Sequence, residues 1–427
     1  DKTNLQVLPV LKPTCSTISW HHPNSDTSLA FFDGLDLKNS STALGESVKF
    51  EQVSPSSSIL LRPLLLKVGF RLLASHPDLC RAFRACDVNA NFVSPQAVVK
   101  FLSSESVITP GLPAPLEKTA FKRLDTFRAV FEYCLHGVAK PLQLRNLPLQ
   151  LAIDNTLSQF KTGEGLYVTS HWRVLPCLSE MFLHKDLVPS CAAWFQKNEV
   201  TEEAYSSAVF KKFTIPELGK HLGQQLPGNW QGCHRHVEWN PKLKGHPSES
   251  WLRHLWKFIC SETSEDKPCP SLEAIKHWPV FPTTSCKLVP PIESKTVLFL
   301  TNMVGFGLKL ANVLRKLGLP EIAWRKMCHP NTIQPPVDLA SLLAEHLAIP
   351  TSHEDVTKVI QFMSDTGAEM GNLEPEECYT LLHYFQEGYD GKTLSQQSIQ
   401  IIKKLPIFKV AGVDRTTDIQ SPCKYHT

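Results

Sequence analysis

Apolar residues recur at helical spacing in three aromatic-rich segments. In residues 251–259 (WLRHLWKFI), Trp251, Leu252, Leu255, Trp256 and Ile259 fall at i, i+1, i+4, i+5 and i+8, which is one face of an α-helix. Residues 127–135 (FRAVFEYCL) and 379–385 (YTLLHYF) carry comparable stripes. All three predict amphipathic helices that bury an aromatic side.

A second pattern punctuates the chain. LPVL at Leu8, LPLQ at Leu147, WPVF at Trp278 and LPIF at Leu405 place prolines at 9, 148, 279 and 406, in steps of 139, 131 and 127 residues. Such steps exceed the roughly 20–50 residues of a solenoid repeat and suit a domain-sized unit used several times. After each proline come a short apolar stretch, polar turn residues and a second apolar stretch. In LPLQLAIDNTLSQF the pair Asp154-Asn155 suits a turn, because both residue types tolerate the left-handed region. Apolar positions resume at Leu157 and Phe160. The phrase predicts a β-hairpin. Its proline, lacking an N–H, suits the first position of an edge strand. The aromatic segments begin 21, 28 and 27 residues before Pro148, Pro279 and Pro406, so the expected unit is helix, connector, hairpin.

Further signals fill in the outline. Thr214-Ile-Pro-Glu217 and Thr351-Ser-His-Glu354 fit capping boxes, and Ser94-Pro95 places a cap residue before a proline in a first helical turn. The apolar runs at 59–74 and 297–310, which share the phrases VGFRL and VGFGL, predict buried helices. Both fall short of the roughly 20 apolar residues that cross a bilayer. Residues 223–250 read as the longest structureless stretch, a surface loop, with shorter connectors near 39–58, 109–115, 261–270 and 331–336. The fold class expected is α+β, mixed and helix-rich, with tandem helix-plus-β-hairpin modules in an elongated multi-domain arrangement. The modules are 1–143, 144–275 and 276–404, with 405–427 opening a further hairpin.

Composition narrows the function classes. With 427 residues, 42% hydrophobic and 20% charged, the chain is globular. A net charge of +3 spread along the sequence forms no basic stripe, which argues against a nucleic-acid partner. There are thirteen cysteines and no CxxC pair, and Cys134, Cys177, Cys260 and Cys378 sit in apolar settings. They read as buried thiols of a reducing compartment, cytosol or nucleus. No secretory leader is visible, and a chain opening at Asp1 reads as a piece of something larger.

Candidate chemistry is sparse. His76-Pro77-Asp78 spells the tripeptide of J-domains, but apolar LLLKVGFRLLA precedes it where a basic helix is needed; it reads as a helix-terminating turn. Asp365-Thr-Gly-Ala-Glu-Met-Gly371 approaches the DxGxG box of GHKL-type ATPases, but Glu369 replaces a glycine and no ExxxNxxDA helix lies upstream. It reads as a loop between helices. Cys233-His234-Arg-His236, with His221 nearby, offers one ligand cluster where zinc sites need two pairs. Trp20-His21-His22 and Cys328-His329 have no partner that spacing assigns. No GxSxG, HExxH or Walker loop occurs. No catalytic, cofactor-binding or metal residue is assigned, and the chain is expected not to be an enzyme.

Two stretches carry a family resemblance. LPLQLAIDNTLSQF followed by TSHWRVLPCLSEMFLHKDLV (residues 169–188) resembles the LPLLLTADGxL…LLP…FLH signature of the sacsin family, and VLPVLKPTCSTISW (residues 7–20) resembles that family's FLPVxxxP…W element. The resemblance runs from Val7 to Ile407. It implies a giant cytosolic chaperone or co-chaperone with a ubiquitin-like domain, three long repeats, a J-domain and a C-terminal HEPN domain. Each long repeat opens with a GHKL-like ATPase module. It also implies roles in protein quality control and intermediate-filament organisation and a link to recessive spastic ataxia. This sequence lacks the GHKL boxes, so the resemblance implies a post-ATPase, non-catalytic stretch. Its expected partners are protein clients or chaperones, intermediate-filament proteins among them, and other segments of the same giant chain. The alternatives are part of a split nucleotide-dependent ATPase pocket and a passive scaffold spacer.

Overall fold

The computed structural model describes residues 111–405, apart from 137–140, 162–164, 198–208, 233–235, 263–270, 301–304, 349–355, 367–372 and 391–393, together with seven strands and a few helical residues outside that span. The chain divides into two compact units, one of residues 1–172 with 178–213 and the other of residues 173–177 with 214–427.

In the first unit, β1 (Leu8–Leu11), β2 (Ile18–His21), β3 (Ala30–Phe32), β4 (Arg71–Leu73) and β5 (Asn91–Phe92) form one sheet in the order β2-β1-β4-β3-β5. There follow β6 (Ala114–Pro115), α1 (Leu124–His136), β7 (Gln150–Leu151), β8 (Thr156–Ser158), β9 (Leu166–Val168), α2 (Val188–Lys197) and β10 (Phe210–Lys212). The stripe read in α1 is buried. Phe127 stacks on Phe131 with centroids 6.1 Å apart, and Phe210 meets both Phe131 (6.3 Å) and Phe160 (5.3 Å) edge to face, the geometry aromatic quadrupoles favour.

The second unit holds α3 (Ile215–Gln225), β11 (Val237–Glu238), α4 (Glu249–Ser261), β12 (Phe281–Pro282) and β13 (Lys287–Val289). After them come α5 (Phe306–Lys316), α6 (Val337–His346), α7 (Val356–Thr366), α8 (Pro375–Asp390), α9 (Gln396–Ile402), β14 (Phe408–Ala411) and β15 (Thr417–Gln420). α4 starts because Ser248 caps it, accepting from Trp251 N at 3.1 Å. α5, α7 and α8 share one core around Leu310, Leu314, Ile360, Leu381 and Tyr384. Helix dominates over short sheets, so the fold is α+β.

Every LP phrase leads into an antiparallel hairpin: β1–β2, β7–β8, β12–β13 and β14–β15. The two middle hairpins are the same object built twice, 131 residues apart. Ala152 N donates to Thr156 O at 3.0 Å and Thr283 N to Lys287 O at 2.8 Å. Asn155 and Cys286 both occupy the left-handed region, φ 64° and 58°. The carbonyl of each accepts from a residue just after a preceding strand, Leu116 N (2.9 Å) and Trp239 N (3.0 Å). Those preceding strands, β6 and β11, complete three-stranded sheets β6-β8-β7 and β11-β13-β12. The outer partners also correspond: His184 N donates to Leu151 O (2.9 Å), and Ala323 N to Pro282 O (2.7 Å). The turn into each phrase recurs three times, Leu147 N to Leu144 O, Trp278 N to Ile275 O and Leu405 N to Ile402 O, at 2.9–3.0 Å.

Several expectations are corrected. Residues 71–73 of the first apolar run form strand β4, not helix; a short apolar run reads either way. In the second run, Leu298 bridges Glu321 and Ala348 in parallel, and the helix begins only at Phe306, after Gly305 with φ 64°. The described residues of 223–250 are structured, with 233–235 outside them. Trp230 and Trp239 are buried, the Trp239 indole donates to Pro247 O at 2.7 Å, and β11 joins the sheet. Pro9 lies in an interior strand, since β1 sits between β2 and β4; β1 meets β4 only at the pair Val10↔Leu73. Thr214 caps α3 without a side-chain hydrogen bond. Cys177 is exposed rather than buried. Thr351–Glu354 lie outside the described residues.

Candidate functional site

Most of the singled-out motifs do not assemble into a site. His76-Pro77-Asp78 and Cys233–Arg235 lie outside the described residues, as do Gly367–Gly371; Asp365 and Thr366 end α7 and so are helical, not loop. His21 ends β2. His236 is exposed, with its Nε2 3.1 Å from Lys287 Nζ. Among the described residues, no group of three or more histidine, cysteine or acidic side chains is placed to hold a metal ion. No helix among them is long and apolar enough to cross a membrane.

The thiols differ by burial. Cys134 and Cys191 are fully buried, and burial alone pushes their pKa far above the ordinary range. Such groups are inert fillers of the core.

Among the described residues, two concavities of the second unit stand out. The smaller, about 340 Å³, lies beside the β12–β13 turn between Lys287 and Lys358, with Thr283, Ser285 and Thr296 among its walls. Lys287 Nζ is 3.4 Å from Glu238 Oε1. The larger is a groove of about 570 Å³, within the size range of ligand pockets. It is lined by Arg253, Trp256, Lys257 and Cys260 of α4 and by Met327, Cys328 and His329. Thr332 and Pro336 rim it, and Asp338 and Leu339 of α6 close one end.

Why the sequence builds this groove is legible locally. α4 turns its apolar stripe inward, where Trp256 Nε1 donates to Val280 O at 3.1 Å and the ring lies 4.8 Å from Phe281. Trp251 donates instead to Val174 O at 2.8 Å. The flank of the same helix is left to solvent, and it is basic. Burial, reinforced by Asp338 and Cys328, pushes the Cys260 thiol up to about 12, and burial also raises Cys328. These thiols stay protonated and serve as soft apolar lining. The predicted cluster Cys328-His329 is therefore brought to a groove, beside Cys260. Sequence reasoning missed Arg253 and Lys257, for which the available signal was the basic flank of the aromatic stripe, and read Cys260 as a buried thiol where it is half-buried groove lining.

No protein-family model matches the chain, and no solved structure matches it. In sequence, the chain is similar to a short stretch of a much longer protein. That protein is Sacsin of Homo sapiens, to which the chain is 23% identical over 429 residues, covering 92% of this chain and 9% of that protein.

Proposed function

We propose that this chain is a non-catalytic structural and partner-binding segment of a sacsin-type molecular chaperone or co-chaperone. It would work in cytosolic protein quality control and intermediate-filament organisation. The observation that carries the reading is the similarity to human sacsin across 92% of the chain. The repeated strand, helix and hairpin support it, because they spend the aromatic residues on cores and leave grooves between elements. The partners are protein clients or chaperones and other segments of a larger chain.

The test is suppression of aggregation of a model client, together with capture of intermediate-filament peptides, by the purified chain. Activity in either supports the reading. A clean negative in both would leave a passive scaffold spacer. Calorimetric titration with ATP and magnesium is expected to be silent; heat of binding would instead favour part of a split nucleotide pocket.

A further inference from the structure

We propose that the α4–α6 groove is a docking site for a short acidic segment of a partner polypeptide carrying one or two apolar anchors. This rests on the partner-binding reading and names the chemistry of the partner.

The groove offers an apolar floor and a basic edge. Trp256, Met327, Cys328 and Leu339 are buried beneath it, a surface that takes an aliphatic or aromatic side chain. Arg253, His254 and Lys257 stand at i, i+1 and i+4 along α4, and His329 also lines the groove. Asp338 is the single carboxylate among the lining residues. Arg253 is 3.9 Å from Glu249 Oε2, a loose pairing, and no carboxylate of the described residues pairs with Lys257. The lining is therefore net positive, and an anionic partner meets complementary charge.

The rim points the same way. Ile333, in the loop that contributes Thr332 and Pro336 to the groove, and Val337, the first residue of α6, are 84% and 79% exposed. These aliphatic side chains extend the apolar surface that a bound segment can cover. Pro336, with φ −54° and ψ 149°, holds that loop extended. An extended or helical segment laid across the groove would cover both aliphatics while its acidic residues reach Arg253 and Lys257. An apolar ligand without charge would leave that basic edge unused, and a basic one would be repelled.

The experiment uses the whole chain and a short fluorescein-labelled peptide in which leucine and phenylalanine alternate with glutamate, read by anisotropy. A second peptide carries lysine in place of glutamate. The acidic peptide is expected to bind and the basic one not. The double variant R253E/K257E should weaken binding about tenfold or more, and I333S/V337S should weaken it by a similar factor. Circular dichroism checks that both variants stay folded, and the affinity of the unsubstituted chain should fall several-fold as salt is raised. Equal binding of the two peptides, or binding indifferent to salt and to the charge reversal, overturns the proposal. If client capture is positive but insensitive to both double variants, the groove assignment fails while the partner-binding reading stands. If neither peptide nor client binds, both fail.

Discussion

The Trp256 indole donates to the Val280 carbonyl at 3.1 Å, tying the aromatic helix α4 to the residue after Pro279. One hydrogen bond thus joins the two patterns that repeat along this chain, the aromatic stripe and the LP phrase. Trp256→Ala removes both that bond and a ring almost wholly buried against Phe281. The expected cost is about 3–5 kcal/mol, read as a lowered urea midpoint. Trp256→Phe should cost less, since it keeps most of the apolar contact. Unchanged stability of the alanine variant would break the link between helix and hairpin.

Asn155 and Cys286 hold the same left-handed turn position, but only asparagine is suited to it. Cys286 is exposed, so its replacement removes no core. Cys286→Gly or Cys286→Asn should therefore stabilise by about 0.5–1 kcal/mol, while Asn155→Ala destabilises by about 1–2 kcal/mol. Thermal melts of the three variants check the opposite signs.

Two glycines one turn apart on α3 should answer alanine in opposite ways. A Cβ at Gly219 would meet the Ala274 carbonyl oxygen at 2.5 Å, whereas one at Gly223 finds Trp278 at an ordinary 3.5 Å. Gly219→Ala forces α3 off its neighbour and should cost about 1–3 kcal/mol. Gly223→Ala gains helix propensity, about 0.5–1 kcal/mol. Equal effects in denaturant titrations would contradict this packing.

Acid should weaken the fold through two histidines. Burial lowers the pKa of His184 and of His346, against the opposing pull of Asp186 and Glu345, while Lys185 and Lys295 act with burial. The unfolded chain takes up these protons near pH 6.5 and the folded chain does not. Stability is thus fully present above about pH 6.5 and is lost as pH falls toward the folded values. His346 Nε2 is buried with no hydrogen-bond partner, so His346→Leu should flatten part of that dependence. Urea midpoints at neutral pH and at about pH 5.5 decide it.

Thiol labelling should follow burial. Cys177 and Cys286 are exposed, and Cys134 and Cys191 are fully buried. Iodoacetamide should modify the first two in the folded chain and the second two only after unfolding, as mass spectrometry of the digests will show. Labelling of Cys134 at the rate of Cys286 would contradict the core.

Much of this architecture was legible because it rests on local chemistry. The 3.6-residue stripe marked α1, α4 and α8, and Asp154-Asn155 marked a turn in which Asp154 Oδ1 accepts from Thr156 N at 2.9 Å and Asn155 takes the left-handed region. What the sequence concealed depends on distant pairing. Val237 and Glu238 become a strand only because β13 presents a free edge, and Leu298 is extended because Glu321 and Ala348 flank it. The groove was hidden for the same reason, since Cys328 and Lys257 meet only through tertiary packing.

The strand order has a consequence for synthesis. β8 is the central strand of its sheet, yet 43 residues separate Ala114 from its partner Leu157, and 51 separate Val237 from Leu288. On a ribosome adding about 5–20 residues per second, each first strand and its aromatic helix would wait roughly 2–10 seconds for the hairpin that covers them. Each repeat thus passes through an interval, as it emerges, in which its own nascent chain is the kind of client a chaperone recognises.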